Sequence, residues 1–157
     1  MTQYMIELQE FDKSNDVLSL IKWVDTPRLN IVWATDTFTF PLQYSKLVDY
    51  FQSASNKNII VFKVREKGSE AVIGHCELEV NPKSVKICRL LIAEQYRGHG
   101  YAKETIQELL KYINNNLNPE IVFLTVFSFN PAIKLYKKMG FEKTKVEESY
   151  IQFENGK

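Results

Sequence analysis

The sequence predicts an α/β chain of the α+β type, a mainly antiparallel sheet that ends in one strand–helix–strand crossover. Three observations carry that reading. Residues 58–92 hold three runs rich in Ile, Val, Phe and Leu, divided by short turns, and strand-length runs with short connections pair antiparallel. Beyond Gly98 and Gly100 the apolar spacing changes, and Ala102, Ile106, Leu109, Leu110 and Ile113 recur as along one helix face. Residues 121–127 then carry no charge, the pattern of a strand buried on both faces.

Taken in order, residues 5–11 read as a first strand, and residues 12–23 as a helix with Val17, Leu18, Leu20 and Ile21 inward. Asp25-Thr26-Pro27 breaks the chain. Residues 29–33 fit a helical turn and a short strand equally. Phe38 to Pro41 is extended, because a residue before proline avoids the helical region. Residues 42–53 form a helix with Leu42, Leu47, Tyr50 and Phe51 partly in phase. Strands follow at 58–64, 71–80 and 84–92, with turns at 65–70 and at Asn81-Pro82-Lys83. A helix of about four turns starts near Ala102 and stops at Asn114-Asn115-Asn116, before Asn118-Pro119. Residues 120–127 are a strand. Residues 131–139 are a short helix with Pro131 in its first turn and Gly140 at its stop. Residues 141–148 and 150–153 are two closing strands.

Composition bounds the function. A length of 157 residues fits one domain spanning 1–157. With 45% hydrophobic and 13% aromatic residues the chain holds enough bulk for a core, so disorder is excluded. Lys and Arg total 20 against 19 Asp and Glu, a net charge of +1 that gives no reason to expect a nucleic-acid or anionic-membrane surface. Cys76 and Cys88 have neither metal spacing nor a disulfide framework. No apolar run approaches the roughly 20 residues of a membrane span, and residues 1–10 lack a secretory pattern, so a cytoplasmic chain is expected.

The sharpest local feature runs from Leu90 to Ala102, out of an apolar strand, through Arg97-Gly98-His99-Gly100, into an amphipathic helix. The first turn of a helix carries N–H groups with no internal partner, at the positive end of its dipole. Two glycines and an alanine clear side chains from an approaching anion, so a diphosphate can accept several N–H bonds at once. Gly-x-Gly alone fits a tight strand-to-helix connection better. There is no Gly-Lys-Ser/Thr for a P-loop and no full Gly-x-Gly-x-x-Gly for a dinucleotide fold.

The run Arg97-Gly98-His99-Gly100-Tyr101-Ala102 resembles the Arg/Gln-x-x-Gly-x-Gly/Ala motif of the GNAT superfamily of acyl-CoA-dependent N-acetyltransferases, and Leu90-x-Ile92 fits the strand that precedes it. Residues 130–141, with Asn130, Ala132, Leu135, Tyr136, Gly140 and Phe141, are similar to the family's second signature, Asn…Ala-x-x-Leu-Tyr-x-x-x-Gly-Phe. The resemblance covers residues 73–142 well and the front half loosely. It implies a mixed, mainly antiparallel sheet of about six or seven strands flanked by about four helices.

It also implies roles. Leu90, Leu91 and Ile92 would pair with the pantetheine arm of acetyl-CoA, the cosubstrate, as a strand edge. Arg97, Gly98, His99, Gly100, Tyr101, Ala102 and Lys103 would hold the diphosphate, mostly through main-chain N–H groups. His99 then needs no special side chain, and Lys103 reads equally as a solvated helix residue. Tyr136 aligns with the family's general acid, which protonates the departing thiolate; Ala132, Leu135, Tyr136 and Met139 also form a helical apolar pattern that would make it core. Asn130 stands six residues before Tyr136 rather than seven, so it fits a contact to the cofactor arm or a cap on the helix at Pro131.

A general base is the least marked part. Thr125 holds the place where some relatives carry glutamate. His75, Glu77 and Glu79 share one strand face, with Glu77 the first candidate base and His75 the second; a solvated sheet face explains them as well. Aromatic residues crowd the front half, and the resemblance implies that Trp33, Phe40 and His75 contact the acceptor there. The chain is therefore expected to acetylate a primary amine, be it a small molecule, a lysine side chain or a peptide N-terminus, without metal. A non-catalytic acyl-CoA sensor is the alternative. Neither a nucleic-acid nor a membrane partner is expected, and assembly as a homodimer stays open.

Overall fold

A computed structural model describes residues 5–147 and 150–156. Its strands are β1 (Ile6–Glu10), β2 (Ile59–Glu66), β3 (Val72–Val80), β4 (Ser84–Ile92), β5 (Ile121–Phe127), β6 (Glu142–Glu147) and β7 (Tyr150–Gly156). Its α-helices are α1 (Asp16–Trp23), α2 (Pro27–Ala34), α3 (Tyr44–Ser53), α4 (Tyr101–Asn116) and α5 (Ile133–Lys138). The strands make one sheet in the order β1-β2-β3-β4-β5-β7-β6. Only β4 and β5 run parallel, joined by the α4 crossover; the other neighbours are antiparallel.

Each face of the sheet has its own core. On one, Ile106, Leu109 and Ile113 of α4 are fully buried against Val85, Ile87, Val122, Leu124 and Phe153. Those helix positions recur every three or four residues, so one stripe of α4 is apolar throughout. On the other, α1, α2 and α3 pack Val17, Leu20, Trp33, Leu47 and Phe51 against the sheet at Leu91. Removing one such buried leucine side chain costs about 2–5 kcal/mol.

The ambiguous stretch at 29–33 is helical. Thr26 is extended, its hydroxyl accepts the Leu29 N–H, and Pro27 opens α2. The first helix begins later than its apolar pattern. The Asp12 carboxylate takes the N–H groups of Ser14 and Asn15 and makes a turn, so α1 starts at Asp16. α4 ends where the asparagines predict, with Asn116 its last residue and Asn118 turning left-handed at φ 46°. β5 is not buried on both faces: Val122, Leu124 and Val126 are core, whereas Phe123 and Thr125 are half-buried. β7 extends beyond residue 153 to Gly156, and the expected end of β6 at Glu148 lies outside the described residues.

Candidate active site

The site begins with a fault in β4. His75 faces Leu91 and Glu77 faces Cys88, so Arg89 and Leu90 together oppose Cys76. That extra residue is a bulge, and Arg89 absorbs it with φ 48°, a left-handed conformation costly for a side chain with a Cβ. Just beyond it Gly74 lets the strands close. A Cβ there would stand 2.5 Å from the Leu91 carbonyl oxygen and 2.9 Å from Ile92 Cδ1.

Ahead of the bulge β4 has already left its parallel neighbour. Pairing with β5 covers only Ser84–Ile121, Val85–Val122 and Lys86–Phe123. The strands then part around a cleft of about 410 Å³. Leu90, Leu91 and Ile92 wall it on one side, Thr125, Val126 and Phe127 on the other. Trp33 closes the face toward α2, and Ala102, Asn130, Leu135 and Tyr136 close the face toward α4 and α5.

Arg97 and Ala102 carry the cleft to the strand-to-helix turn. Gly98 and Gly100 sit at φ 81° and 82°, and a Cβ on either would meet open space. Their conformation, and not crowding, calls for glycine. The first bond of α4 runs from the Glu104 N–H to the Gly100 carbonyl at 3.1 Å. Among the described residues, the amides of 98–103 donate to nothing within the protein. Arg97 is anchored by its Nε to the Ile92 carbonyl at 2.8 Å. The Tyr101 hydroxyl donates to the Glu66 carboxylate, so its side chain turns from the amides. His99 and Lys103 are exposed at the turn.

Tyr136 is buried, and desolvation pushes its phenol up to about 12. It stays protonated across the physiological range while facing the cleft. Asn130 also lines the cleft, and its Oδ1 accepts the Ala132 N–H at 2.9 Å, so the side chain serves as a cap ahead of α5.

The remaining candidates lie elsewhere. Glu77 and His75 are fully buried and do not line the cleft, so the picture of a solvated sheet face is wrong. The His75 ring is packed among Phe11, Trp33 and Phe51, with no exposed edge for an acceptor. Glu77 Oε1 accepts from Tyr50 Oη at 2.7 Å and Arg89 Nε at 2.8 Å, and Oε2 pairs with His75 Nε2 at 2.7 Å. Burial alone would raise its pKa, but the bond to His75, the Arg89 charge and the Tyr50 hydroxyl outweigh it and hold the carboxyl below its ordinary range. A carboxylate so engaged cannot serve as a base in the cleft. Phe40 is exposed and lies outside the cleft lining, so only Trp33 of the proposed acceptor contacts is part of it.

Sequence reasoning missed Arg89, Tyr50 and Gly74. One signal was readable. Val85 and Ile87 alternate inward, but Arg89 stands at the next inward position and the apolar run Leu90-Leu91-Ile92 then loses its period.

A bulged strand parted from its parallel neighbour, beside a glycine turn with free amides, is the arrangement that the resemblance to acyltransferases implies. The Acetyltransferase (GNAT) family model matches residues 27–141, and the chain belongs to that family. An uncharacterized prophage-derived N-acetyltransferase, YokL, of Bacillus subtilis is 46% identical over 55 residues, covering 34% of this chain and 31% of that protein. An N-alpha-acetyltransferase of Sulfurisphaera tokodaii is 37% identical over 81 residues, 49% of this chain and 48% of its own. The chain thus spans about a third to a half of these curated relatives' length. The spermidine N-acetyltransferase of Vibrio cholerae, solved with CoA and spermine, superposes with TM-score 0.81 at 23% identity over 96% of this chain and 94% of that one. AAC(6')-Ib with ribostamycin and coenzyme A gives TM-score 0.83 at 14% identity over 98% and 94%. Both likenesses concern the fold.

Proposed function

We propose that the chain transfers an acetyl group from acetyl-CoA to a primary amine by direct attack in a ternary complex. The observation that carries this reading is one cleft that holds the parted β4 edge and the Tyr136 phenol and reaches, at Arg97 and Ala102, the turn whose amides at 98–103 are free. The pantetheine arm adds to Leu90–Ile92 as a short strand, and the diphosphate accepts from the turn. These contacts fix the thioester between β4 and β5. An amine arriving from the α2 face attacks the acetyl carbonyl carbon, and a β4 N–H past the bulge receives the developing oxyanion. The C–N bond forms first, opening the carbonyl to the oxyanion; collapse of that adduct restores the carbonyl and breaks the C–S bond, and the proton shed by the nitrogen balances the thiolate that leaves.

Tyr136 meets that sulfur. A phenol at about 12 is a weaker acid than a thiol near 8.5, so it donates a hydrogen bond to the thiolate and completes proton transfer only as its own proton is replaced. Tyr136→Phe is expected to lower kcat about 10²-fold while acetyl-CoA affinity stays within a factor of about two. Thiol release and equilibrium binding measure the two separately. Equal loss of binding and turnover would make Tyr136 a packing residue, and binding with no release for any amine would favour the sensor.

A further inference from the structure

Arg89 has more hydrogen-bonding capacity than its surroundings use. Glu77 takes only its Nε, because the second oxygen of that carboxylate is held by His75. The guanidinium face lies over the Tyr50 ring at 5.7 Å, and the Arg89 carbonyl accepts from Trp33 Nε1 at 2.8 Å. Among the described residues, Nη1 and Nη2 have no partner, although the side chain is only 14% exposed. These donors keep contact with solvent and are free to take oxygen partners, and Arg89 lines the cleft on the side of Trp33.

Resting on the transferase reading, we infer that Arg89 is a specificity-determining residue that presents Nη1 and Nη2 to an oxygen of the acceptor, and that the acceptor is an α-amino acyl compound. Arg89 immediately precedes the strand edge Leu90–Ile92 that would hold the thioester. An oxygen gripped there must lie within a few bonds of the attacking nitrogen, as the carbonyl or carboxylate beside an α-amine does. A second argument points the same way. Among the described residues no carboxylate or imidazole lines the cleft to take the amine's proton. The α-amine of a peptide or amide, ordinarily near 8, is partly free at neutral pH, whereas an alkyl amine near 10.4 is almost wholly charged, which favours a carbonyl neighbour over a carboxylate. A guanidinium beside the nitrogen favours the neutral form further and repels polycations.

The test measures thiol release from acetyl-CoA with glycinamide, free alanine, a tripeptide, propylamine and spermidine. The wild-type chain is expected to use at least one α-amino acyl acceptor with kcat/KM about tenfold or more above propylamine and spermidine. Preference for free alanine identifies a carboxylate as the partner oxygen, and preference for glycinamide or the tripeptide a carbonyl. Arg89→Lys keeps a cation for Glu77 but loses the fork, so KM for the preferred acceptor should rise about tenfold, and by more than KM for propylamine. Equal or better use of propylamine or spermidine overturns the inference while leaving the transferase reading intact. So does an unchanged acceptor KM in folded Arg89→Lys; if that variant does not fold, the wild-type series decides alone. No release from any acceptor overturns the transferase reading on which the inference rests.

Discussion

Glu77 sits in full burial and is retained there as an ion. Such a group is costly unless both oxygens are hydrogen-bonded, and here Tyr50 and Arg89 reach one and His75 the other. Its carboxylate holds Arg89, whose left-handed φ sits at the bulge of β4, just beyond the last β4–β5 pair. Glu77→Gln keeps the shape and removes the charge, leaving Arg89 without its counter-ion. The expected loss is about 3–5 kcal/mol by urea unfolding at pH 7. The pH dependence has a definite sign. A carboxyl held below its ordinary value stabilises the fold above about pH 4.5, and that contribution fades as pH falls through the depressed folded value. The gap between wild type and Glu77→Gln should therefore narrow on acidification below pH 4.5. A gap of constant size from pH 7 to pH 3.5 would show that the charge is not what matters.

At the level of the element, β3 and β4 are shaped by Gly74 as much as by their apolar residues. Gly74→Ala places a methyl against the Leu91 carbonyl and Ile92 Cδ1, and neither strand can retreat without breaking its ladder. A destabilisation of about 1–3 kcal/mol is expected in thermal unfolding, with weaker acetyl-CoA binding as the Leu90–Ile92 edge shifts. An unchanged melting point would mean that the strands give way freely. The same stretch shows why some elements are legible and others are not. The glycine turn and α4 stand out because glycine freedom and a 3.6-residue period are both local signals. The β4 bulge is not, since it depends on pairing with β3 and on a carboxylate twelve residues away in the chain. α2 hid behind Asp25-Thr26-Pro27, where Thr26 and Pro27 start a helix rather than break one. The stop of α4 was legible too, since Asn118 takes the left-handed conformation that asparagine tolerates. Of the site, the amide turn and Tyr136 were readable from motif and spacing, while the fate of His75 and Glu77 required knowing that α1 to α3 cover that face.

Across the whole molecule, the two parts of the sheet share, among the described residues, only the three-pair β4–β5 ladder, and α4 packs across both parts. A ligand lying between the parted strands joins both parts and supplies partners that the fold itself lacks. Acetyl-CoA at about 100 times its Kd should add about 2.7 kcal/mol, a rise of about 5–10 °C in Tm for a chain of this size. Hydrogen exchange should slow at Ile87–Ile92, at Leu124–Phe127 and at the amides of 98–103 together. Gly100→Asp isolates the turn. Aspartate at the start of α4 complements the helix dipole, which offsets part of the strain of φ 82°, so the unliganded Tm should change little. Its carboxylate would occupy the amides and repel a diphosphate, so the acetyl-CoA shift should nearly vanish. If Gly100→Asp keeps the full shift, the diphosphate is held elsewhere and the amide turn is only a connection between β4 and α4.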